Sequence, residues 1–553
     1  MNISKLFFVS FVFLFKNVWA EVFTSMADVH NLIHTEGRIL NILELLIEAE
    51  KEKIAAIENY IQQFTDVYEL PGADVERLVS HPVNAFLLVK HLSADWENLK
   101  RFLLYDMGAA AVRDIEKERS ALRFPEEEDI KGAAEGFVRL QRTYKITTED
   151  FASGKIPNWN VTQVPPMSAL DCYLIGHRLA QEGVHDYAAN WLEISLRKFD
   201  EEKEEMPKIR KVDIVDWLQY AYYHGGNPVR ALELTEVVRE LDPDFPTLES
   251  NFKFYSDLIA ELDVATAQKM RDQSRPPPSV QYDGHYEALC RGEGKLAPRV
   301  VPHLKCYFET HNNPYLLLQP AKFEVAYVDP DIYFVHDVIT DNQMQMIKEA
   351  AMVSLQRATV VKAGTNETEY AKIRISKSAF LGEHVHPVIP EVNRRIGHVT
   401  NFDMNQAEQL QVANYGIGGF YDAHYDFFRN PNDINTKHIE KHLGDRIATL
   451  LIYMTDVEAG GATTFPVLNV TLFPQKGSAS FWFNLNRDGR GDVRTLHAGC
   501  PVLSGNKWVS NKWIREIGQH DRRPCDLVQD SLSRQVPGVV WPDMEPAKEQ
   551  MER

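Results

Sequence analysis

The sequence predicts a multidomain protein with an α-helical N-terminal half and an all-β sandwich or barrel near the C-terminus. Its 553 residues exceed what one hydrophobic core usually organises. Apolar residues recur at helical spacing up to about residue 262, whereas short β-rich runs alternate with Gly and Pro turns from about 320 to 520. The net charge of −19 argues against a general nucleic-acid-binding protein, which needs a basic face.

The first twenty residues, "MNISKLFFVSFVFLFKNVWA", have the pattern of a secretory signal peptide. Lys5 precedes a short apolar run, Lys16 interrupts it, and Ala20 is the expected cleavage site. The run is too short for a comfortable membrane span, and no later stretch is long and apolar enough for one. We therefore expect a protein of the secretory pathway with no membrane span.

Residues 21–150 are expected to form a helical dimerisation domain. Apolar residues repeat every seven positions in two rows, one of Leu40, Ile47, Ile54 and Ile61 and the other of Leu43, Ile57 and Phe64. This a/d pattern indicates a coiled coil and hence self-association. An amphipathic helix that packs within its own domain explains the pattern equally well.

Residues 165–262 read as paired helices with an internal repeat. Two segments align at an offset of 43 residues, with Gly183 matching Gly226, and the second resembles a tetratricopeptide repeat. Tyr220 and Tyr223 lie three residues apart and can share one helical face. We expect such a face to bind a proline-rich peptide in the polyproline II form; the alternative is that these tyrosines belong to the core.

The five cysteines are informative if the protein enters an oxidising compartment. We expect four of them to pair in sequence order, as Cys290–Cys306 and Cys500–Cys525, and Cys172 to remain free and buried. Residues 263–320 are then a linker with a disulfide loop. Residues 321–526 form the β domain, and the Pro-containing tail 527–553 is expected to be disordered.

The segment "YDAHYDFF" places His424 and Asp426 two residues apart in a run that alternates like a strand. Residues at i and i+2 of a strand point to the same face, so both can bind one metal ion. His497 is the best third ligand, and two histidines with one carboxylate are typical of non-haem Fe(II) oxygenases. Lys507 lies in a strand pattern where an inward lysine needs an anion. Because Lys512 lies five residues later, alternation alone does not settle which lysine is interior.

Together these motifs resemble the collagen prolyl 4-hydroxylase α subunits. The resemblance rests on "YGIGGFYDAHYDF", "RIATLLIYMTDVEAGGATTFP", "LHAGCPVLSGNKWVSNKWI" and "RRPC", and it extends to "HPVNAFLLVKHL" and "YEALCRGEG" in the N-terminal half. It implies a double-stranded β-helix, or jelly roll, for the catalytic domain. It also implies roles for individual residues: His424, Asp426 and His497 bind Fe(II), Lys507 binds the distal carboxylate of 2-oxoglutarate, Tyr415 and Thr449 lie near that co-substrate, and Tyr421 and Trp513 lie beside the substrate proline.

The resemblance implies that the enzyme hydroxylates C4 of proline in Pro-rich or Gly-X-Y peptides such as procollagen, and converts 2-oxoglutarate and O2 to succinate and CO2. L-ascorbate is the implied reductant, protein disulfide isomerase the implied β subunit of an α2β2 tetramer, and the endoplasmic reticulum lumen the implied compartment. Three Asn-X-Thr sequons are compatible with glycosylation.

One departure from the family pattern concerns the substrate. Phe254 and Asp257 stand where the family usually has two tyrosines. Two alternatives therefore stay open: a hydroxylase of non-collagen secreted proteins, and a lumenal subunit that binds Pro-rich peptides while its dioxygenase domain is inert.

Overall fold

The computed structural model describes most of the chain. The described residues are 22–68, 80–121, 124–156, 164–202, 208–273, 284–296, 298, 300–361, 368–370, 373–429 and 442–526. The predicted signal peptide and the predicted disordered tail lie outside these residues. The fold divides into two compact units, one formed by residues 28–125 and the other by the remainder.

The smaller unit is entirely helical in its described part. Its helices are α1 (Met26–Tyr68), α2 (Pro82–Lys90), α3 (Trp96–Leu103) and α4 (Met107–Ala121), with a π-helical turn at His91–Asp95. The predicted heptad row on α1 remains on the surface, since the side chains of Leu40, Ile47, Ile54 and Ile61 are 53%, 54%, 56% and 58% exposed. Packing within the helix's own domain therefore does not account for this row.

The predicted helical domain 21–150 is divided in the structure. Residues 22–27 and the chain from Glu126 onward belong to the larger unit. Helix α5 (Glu127–Tyr144) begins with a capping box made by Glu126 and Asp129. It contributes Val138 to the core of the following helical domain and Leu140 to a cluster with residues of the β domain. An amphipathic pattern alone cannot tell which of two neighbouring domains a helix joins.

The predicted repeat domain forms antiparallel helix pairs. After α5 and the short α6 (Thr148–Ala152), its helices are α7 (Ala169–Gln181), α8 (His185–Glu202), α9 (Lys211–His224), α10 (Pro228–Leu241), α11 (Leu248–Ala260) and α12 (Val264–Asp272). Gly183 and Gly226, which the repeat aligns, have φ of 79° and 87° and lie in the two equivalent turns. The positive φ explains why both positions are glycine.

The linker and the β domain follow. The helices are α13 (His285–Cys290), α14 (Pro314–Leu318), α15 (Asp341–Met352) and α16 (Val388–Thr400). The strands are β1 (Cys306–Glu309), β2 (Ala321–Tyr327), β3 (Ile332–His336), β4 (Gln356–Arg357), β5 (Thr359–Val361), β6 (Thr368–Tyr370), β7 (Ser376–Leu381), β8 (Leu410–Tyr415), β9 (Tyr421–His424), β10 (Arg446–Tyr453), β11 (Ala459–Gly460), β12 (Thr463–Phe465), β13 (Val470–Leu472), β14 (Ala479–Phe483), β15 (His497–Gly499), β16 (Val502–Ser504) and β17 (Trp508–Arg515).

Two of the sheets form the framework of the site. The larger has the order β1-β2-β3-β14-β10-β17-β8-β7-β4, and the smaller has the order β13-β12-β15-β9. A core that includes Tyr415, Tyr453 and Trp482 of the large sheet and Phe465 of the small one joins them. Helices α15 and α16, which the sequence did not predict, share a second core with the large sheet. This arrangement agrees with the expected jelly roll.

The disulfide differs from the predicted pairing. Cys290 at the end of α13 is bonded to Cys500, 210 residues away in sequence, with a Cα–Cα distance of 5.5 Å. The pairs Cys290–Cys306 and Cys500–Cys525 are therefore wrong for this structure, in which Cys306 and Cys525 are free and exposed. Sequence order failed because α13 packs against β12 and β13 of the small sheet, which brings Cys290 to the residue after β15. Cys172 is free and buried, as expected.

Among the helices that the structure describes, none has the length and apolar character that crossing a membrane requires.

Candidate active site

The three predicted metal ligands come together at the edge of the small sheet. Strands β9 and β15 pair in antiparallel register with His424 directly opposite His497, and the two imidazole centroids are 4.3 Å apart. Asp426 follows β9 by two residues. Its carboxylate oxygens lie 3.9 Å from Nε2 of His424 and 3.6 Å from Nε2 of His497. One ligand atom from each residue lies within 4.8 Å of the others.

Backbone contacts fix which nitrogen of each histidine faces the site. Nδ1 of His424 lies 2.7 Å from the carbonyl oxygen of Asp422, and Nδ1 of His497 lies 3.0 Å from that of Thr495. A carbonyl oxygen can only accept, so each Nδ1 carries a proton, and Nε2 is the ring nitrogen that faces the carboxylate of Asp426. Such a contact to the second ring nitrogen is what orients metal-binding histidines.

Asp426 is held as a carboxylate. Thr449 Oγ1 donates to Asp426 Oδ2 at 2.7 Å, and Asn484 Nδ2 donates in turn to Thr449 Oγ1 at 2.8 Å. Burial alone would raise the pKa of Asp426, but His497, His424 and Arg446 outweigh it, and its pKa lies below the ordinary value. Burial, with His497 adding to it, lowers the pKa of His424 to about 3, so this ring is neutral near pH 7.

Two imidazoles and one carboxylate on one side of a common centre fit a divalent non-haem iron ion. They leave coordination positions open for other ligands. Trp482 and Phe465 lie against His497, with ring centroids at 4.7 Å and 5.8 Å, and form an apolar wall. The residues present therefore suit the ion that the sequence predicted.

The two lysines of the Asn-Lys-Trp repeats are both buried, but their partners differ. Lys512 Nζ donates to the carbonyl oxygen of Glu408 at 2.6 Å, and burial lowers its pKa to about 8. Lys507 is 2% exposed, and burial lowers its pKa to about 7. Among the described residues no carboxylate pairs with Lys507, whose Nζ lies 4.7 Å from the centroid of the Tyr415 ring. Lys507 is thus the lysine that still needs an anion.

The remaining predicted residues also border the site, in different ways. Tyr415 lies beside Lys507, whereas Thr449 contacts the carboxylate of Asp426. The Tyr421 ring stacks on His424 with centroids 3.6 Å apart. Trp513 is buried under the guanidinium of Arg446, which lies 3.8 Å from its ring.

Comparisons with known proteins agree with this geometry. Residues 25–158 match the family model of the prolyl 4-hydroxylase α-subunit N-terminal region, and residues 169–261 match that of the prolyl 4-hydroxylase peptide-substrate-binding domain. Residues 410–515, which contain the three predicted metal ligands and Lys507, match the 2OG-Fe(II) oxygenase superfamily. The chain is 40% identical to human prolyl 4-hydroxylase subunit alpha-1 over 517 aligned residues. The alignment covers 91% of this chain and 95% of the human protein. The chain belongs to the prolyl 4-hydroxylase α-subunit family.

Further relatives and solved structures are similar to this α subunit. Prolyl 4-hydroxylase subunit alpha-2 of Caenorhabditis elegans is 38% identical, over 92% of this chain and 94% of the relative. A crystal structure of the viral collagen prolyl hydroxylase from Paramecium Bursaria Chlorella virus-1, as its 2OG complex, is 27% identical. The match covers 34% of this chain and 96% of the viral one, with a TM-score of 0.28.

The peptide-substrate-binding domain of this α subunit carries a continuous row of rings. Tyr220, 36% exposed, lies 5.3 Å from Trp217 and 4.1 Å from His224, and His224 lies 4.7 Å from Tyr223. Tyr223 in turn contacts Phe254 at 5.3 Å. Tyr220 and Tyr223 both contact His224, and Phe254 extends the row without a hydroxyl group. Tyr223 also packs against the core of the repeat domain, so the core alternative holds in part for this residue.

Sequence reasoning missed three charged residues near the predicted substrate side. The guanidinium of Arg374 lies 4.7 Å from the Tyr421 ring. Arg446 makes a two-pronged ion pair with Glu408, at 2.7 Å and 2.9 Å, while it covers Trp513. The available signal was an arginine at the start of the apolar run "RIATLLIY", where a buried guanidinium needs a carboxylate partner.

Proposed function

We propose that this protein is the catalytic α subunit of a prolyl 4-hydroxylase. It hydroxylates C4 of proline in Pro-rich or Gly-X-Y peptides and converts 2-oxoglutarate and O2 to succinate and CO2. The observation that carries the proposal is the cluster of His424, Asp426 and His497 in the same domain as the buried Lys507, for which the described residues offer no carboxylate partner.

Each residue has a physical task in this reaction. His424, Asp426 and His497 hold Fe(II), which with 2-oxoglutarate supplies the oxidising chemistry when bound. Lys507 binds the distal carboxylate of 2-oxoglutarate through a charge-assisted hydrogen bond in a pocket that excludes water. Tyr415 lines that pocket beside Lys507.

The substrate proline lies against the aromatic side of the site. Tyr421 stacks on His424, and Arg446 covers Trp513, so both rings are held rigidly at low cost in side-chain entropy. L-ascorbate is the proposed reductant that restores iron oxidised in uncoupled turnover.

Peptide capture is assigned to the row of Tyr220 and Tyr223 in the repeat domain. A row of flat aromatic rings matches the proline faces of a polyproline II helix, whose preformed shape lowers the entropic cost of binding. Procollagen is the first candidate substrate class. Phe254 leaves the row with fewer hydroxyl groups, which favours testing other Pro-rich chains as well.

The assembly is proposed from the family and from the α1 surface. The exposed row that includes Leu40 and Ile47 supports self-association of two α subunits through a coiled coil. Protein disulfide isomerase is the proposed β subunit of an α2β2 tetramer. The endoplasmic reticulum lumen is the proposed compartment, on the strength of the signal-peptide pattern in the sequence.

The test is peptide-dependent decarboxylation of 2-oxoglutarate by the chain co-expressed with the isomerase. With iron and ascorbate present, (Pro-Pro-Gly)n should stimulate CO2 release and acquire 4-hydroxyproline. His424→Ala and Asp426→Ala should abolish turnover while peptide binding by the repeat domain is retained. No peptide-dependent turnover in the parent enzyme would favour the binding subunit with an inert oxygenase domain.

Substrate class is tested separately. Polyproline, (Pro-Pro-Gly)n and a non-collagen Pro-rich peptide are titrated against the full complex, with Tyr220→Ala as the variant that removes one exposed ring. Loss of one stacked aromatic should raise the Kd of the preferred peptide by roughly fivefold, from about 1 kcal/mol of ring contact. Binding of none of the three peptides would refute the groove assignment.

A further inference from the structure

The first described residues of the chain are buried inside the larger unit. The N-terminal segment, Val22–Ala27, includes Thr24 and Ser25, which are both 0% exposed. Ends of folded regions are normally mobile unless specific contacts hold them. Here the contacts lead directly to the strands that carry the co-substrate residues.

Phe23 anchors the N-terminal segment between α5 and the loop after β8. Its amide donates to Asp129 Oδ1 at 3.0 Å, and its carbonyl oxygen accepts from the amide of Ile417 at 3.0 Å. A Cβ on Gly416 would lie 1.9 Å from the Phe23 carbonyl oxygen, and one on Gly132 would lie 2.1 Å from the Phe23 ring. Two glycines therefore leave the space that this one residue occupies.

Asn414 connects the segment to the lysine pocket. Ser25 Oγ and the amide of Ala27 donate to Asn414 Oδ1 at 2.8 Å and 2.9 Å. On its other side, Asn414 Nδ2 donates to Asn506 Oδ1 at 2.7 Å and to the carbonyl oxygen of Lys507 at 3.2 Å. Both donor positions and both acceptor positions of this buried amide are used.

These contacts act on the backbone of Lys507. Its carbonyl oxygen also accepts from the amide of Tyr415 at 3.2 Å, so Asn414 and Tyr415 both donate to this one oxygen atom. A lysine that reaches into a dry pocket binds an anion well only if its stem starts from a fixed place, since a small displacement stretches the charge-assisted hydrogen bond.

We propose that the N-terminal segment positions Lys507 for 2-oxoglutarate through Asn414, with Ser25 and Asn414 as positioning residues. The inference rests on the proposed role of Lys507 and adds a part of the chain that the oxygenase match, residues 410–515, does not contain. Removing the Ser25 hydroxyl leaves one acceptor position of Asn414 empty, so the amide can rotate away from Lys507.

The test measures 2-oxoglutarate binding without turnover. The full chain, co-expressed with the isomerase, is loaded with Mn(II) in place of iron, and calorimetry gives the Kd of 2-oxoglutarate. Ser25→Ala should raise this Kd roughly three- to tenfold, and Asn414→Ala by roughly tenfold or more, from the loss of buried hydrogen bonds. The Kd of Mn(II) and that of (Pro-Pro-Gly)n should remain within twofold of the parent values, a split that general destabilisation would not give.

Ser195→Ala is the matched control. Ser195 is also 0% exposed, and its Oγ donates to the carbonyl oxygen of Ala169 at 2.7 Å in the repeat domain. This variant loses the same kind of hydrogen bond and should keep the parent Kd of 2-oxoglutarate.

A second control separates the proposed role of Lys507 from the positioning role of Ser25. Lys507→Ala must raise the Kd of 2-oxoglutarate; if it does not, the proposed role of Lys507 fails. If Lys507→Ala raises it but Ser25→Ala stays within twofold of the parent, the positioning role is refuted while the function stands. Ser25→Ala removes a single oxygen atom, so it decides the question even if Asn414→Ala does not fold.

Discussion

The buried ammonium of Lys507 should make 2-oxoglutarate binding depend on pH in a direction that the structure fixes. Burial lowers the pKa of Lys507 from 10.5 to about 7. Since one pKa unit is worth 1.36 kcal/mol, the free pocket disfavours the charged lysine by about 5 kcal/mol. A bound carboxylate offsets this cost and raises the pKa again, so above pH 7 binding is coupled to the uptake of one proton.

This coupling fixes the direction in which the Kd of 2-oxoglutarate changes with pH. Below about pH 7 the lysine is already protonated, and the Kd of 2-oxoglutarate should be flat. Above that value each pH unit should weaken binding by up to tenfold, because a growing fraction of the free enzyme holds a neutral amine. The substrate carboxylates stay ionised throughout, since ordinary carboxyl pKa values lie near 4.

Calorimetry of the Mn(II)-loaded complex measures the Kd of 2-oxoglutarate and the coupled proton uptake between pH 6.5 and 8.5. Titrations in two buffers with different ionisation enthalpies count the protons taken up. Lys507→Met should weaken binding by roughly 10²- to 10³-fold, as expected when one partner of a buried charge pair is removed. Lys507→Arg should flatten the pH dependence, because a guanidinium keeps its proton across this range.

Lys512→Met is the matched control for this prediction. Lys512 is also buried with a lowered pKa, but its Nζ already donates to the carbonyl oxygen of Glu408. Its loss should reduce stability and leave the pH slope of 2-oxoglutarate binding unchanged. A parent enzyme whose Kd is constant from pH 6.5 to 8.5 would refute the reasoning, because Lys507 would then already be paired in the free protein.

Three further predictions concern assembly, the disulfide and the metal. Ile47→Asp should halve the mass of the assembly in sedimentation, because it puts a charge into the exposed heptad row of α1. Cys290→Ser should lower the free energy of unfolding by about 5 kcal/mol in the chain-entropy model, since the Cys500 bond closes a 210-residue loop. Thr449→Val should raise the Kd of Fe(II) by roughly 10- to 100-fold, measured anaerobically, because it removes the donor that orients Asp426.

Each of these predictions has its own control. Val112→Asp adds the same charge at an exposed site outside the heptad row and should leave the sedimenting mass unchanged. Peptide mapping without reductant should recover Cys290 linked to Cys500; recovery of a Cys290–Cys306 peptide would overturn the pairing in the structure. Thr464→Val alters a buried threonine whose hydroxyl has no hydrogen-bond partner in the described part of the chain, so its Fe(II) Kd should match the parent value.

The sequence points to two of the proposed metal ligands because their signal is local. His424 and Asp426 lie two residues apart in a strand-like run, and that spacing already places them on one side. The partner strand was not predictable in the same way, because His497 lies 73 positions after His424. Only the antiparallel register of β9 and β15 brings the two histidines opposite each other. Residue type makes His497 a candidate third ligand, but periodicity does not place it opposite His424.

The two lysines show where alternation stops being informative. Alternation predicts opposite faces for residues five positions apart, which would leave one lysine in solvent. Both are in fact buried, because Lys507 precedes β17 after a turn at Gly505 whose φ is 97°, whereas Lys512 lies within the strand. What separates them is the partner of each ammonium, which depends on Glu408 far away in sequence.

The corrected disulfide changes how the site is supported. Cys500 lies three residues after His497, so the bond to Cys290 attaches α13 to the end of the strand that carries this proposed iron ligand. Tyr286 of the same helix donates to the carbonyl oxygen of Gly499 at 3.3 Å, a second contact to β15. A loop closed within the linker would have stabilised the linker alone. The observed bond instead attaches α13 to the residue after β15, the strand that places His497 opposite His424 of β9.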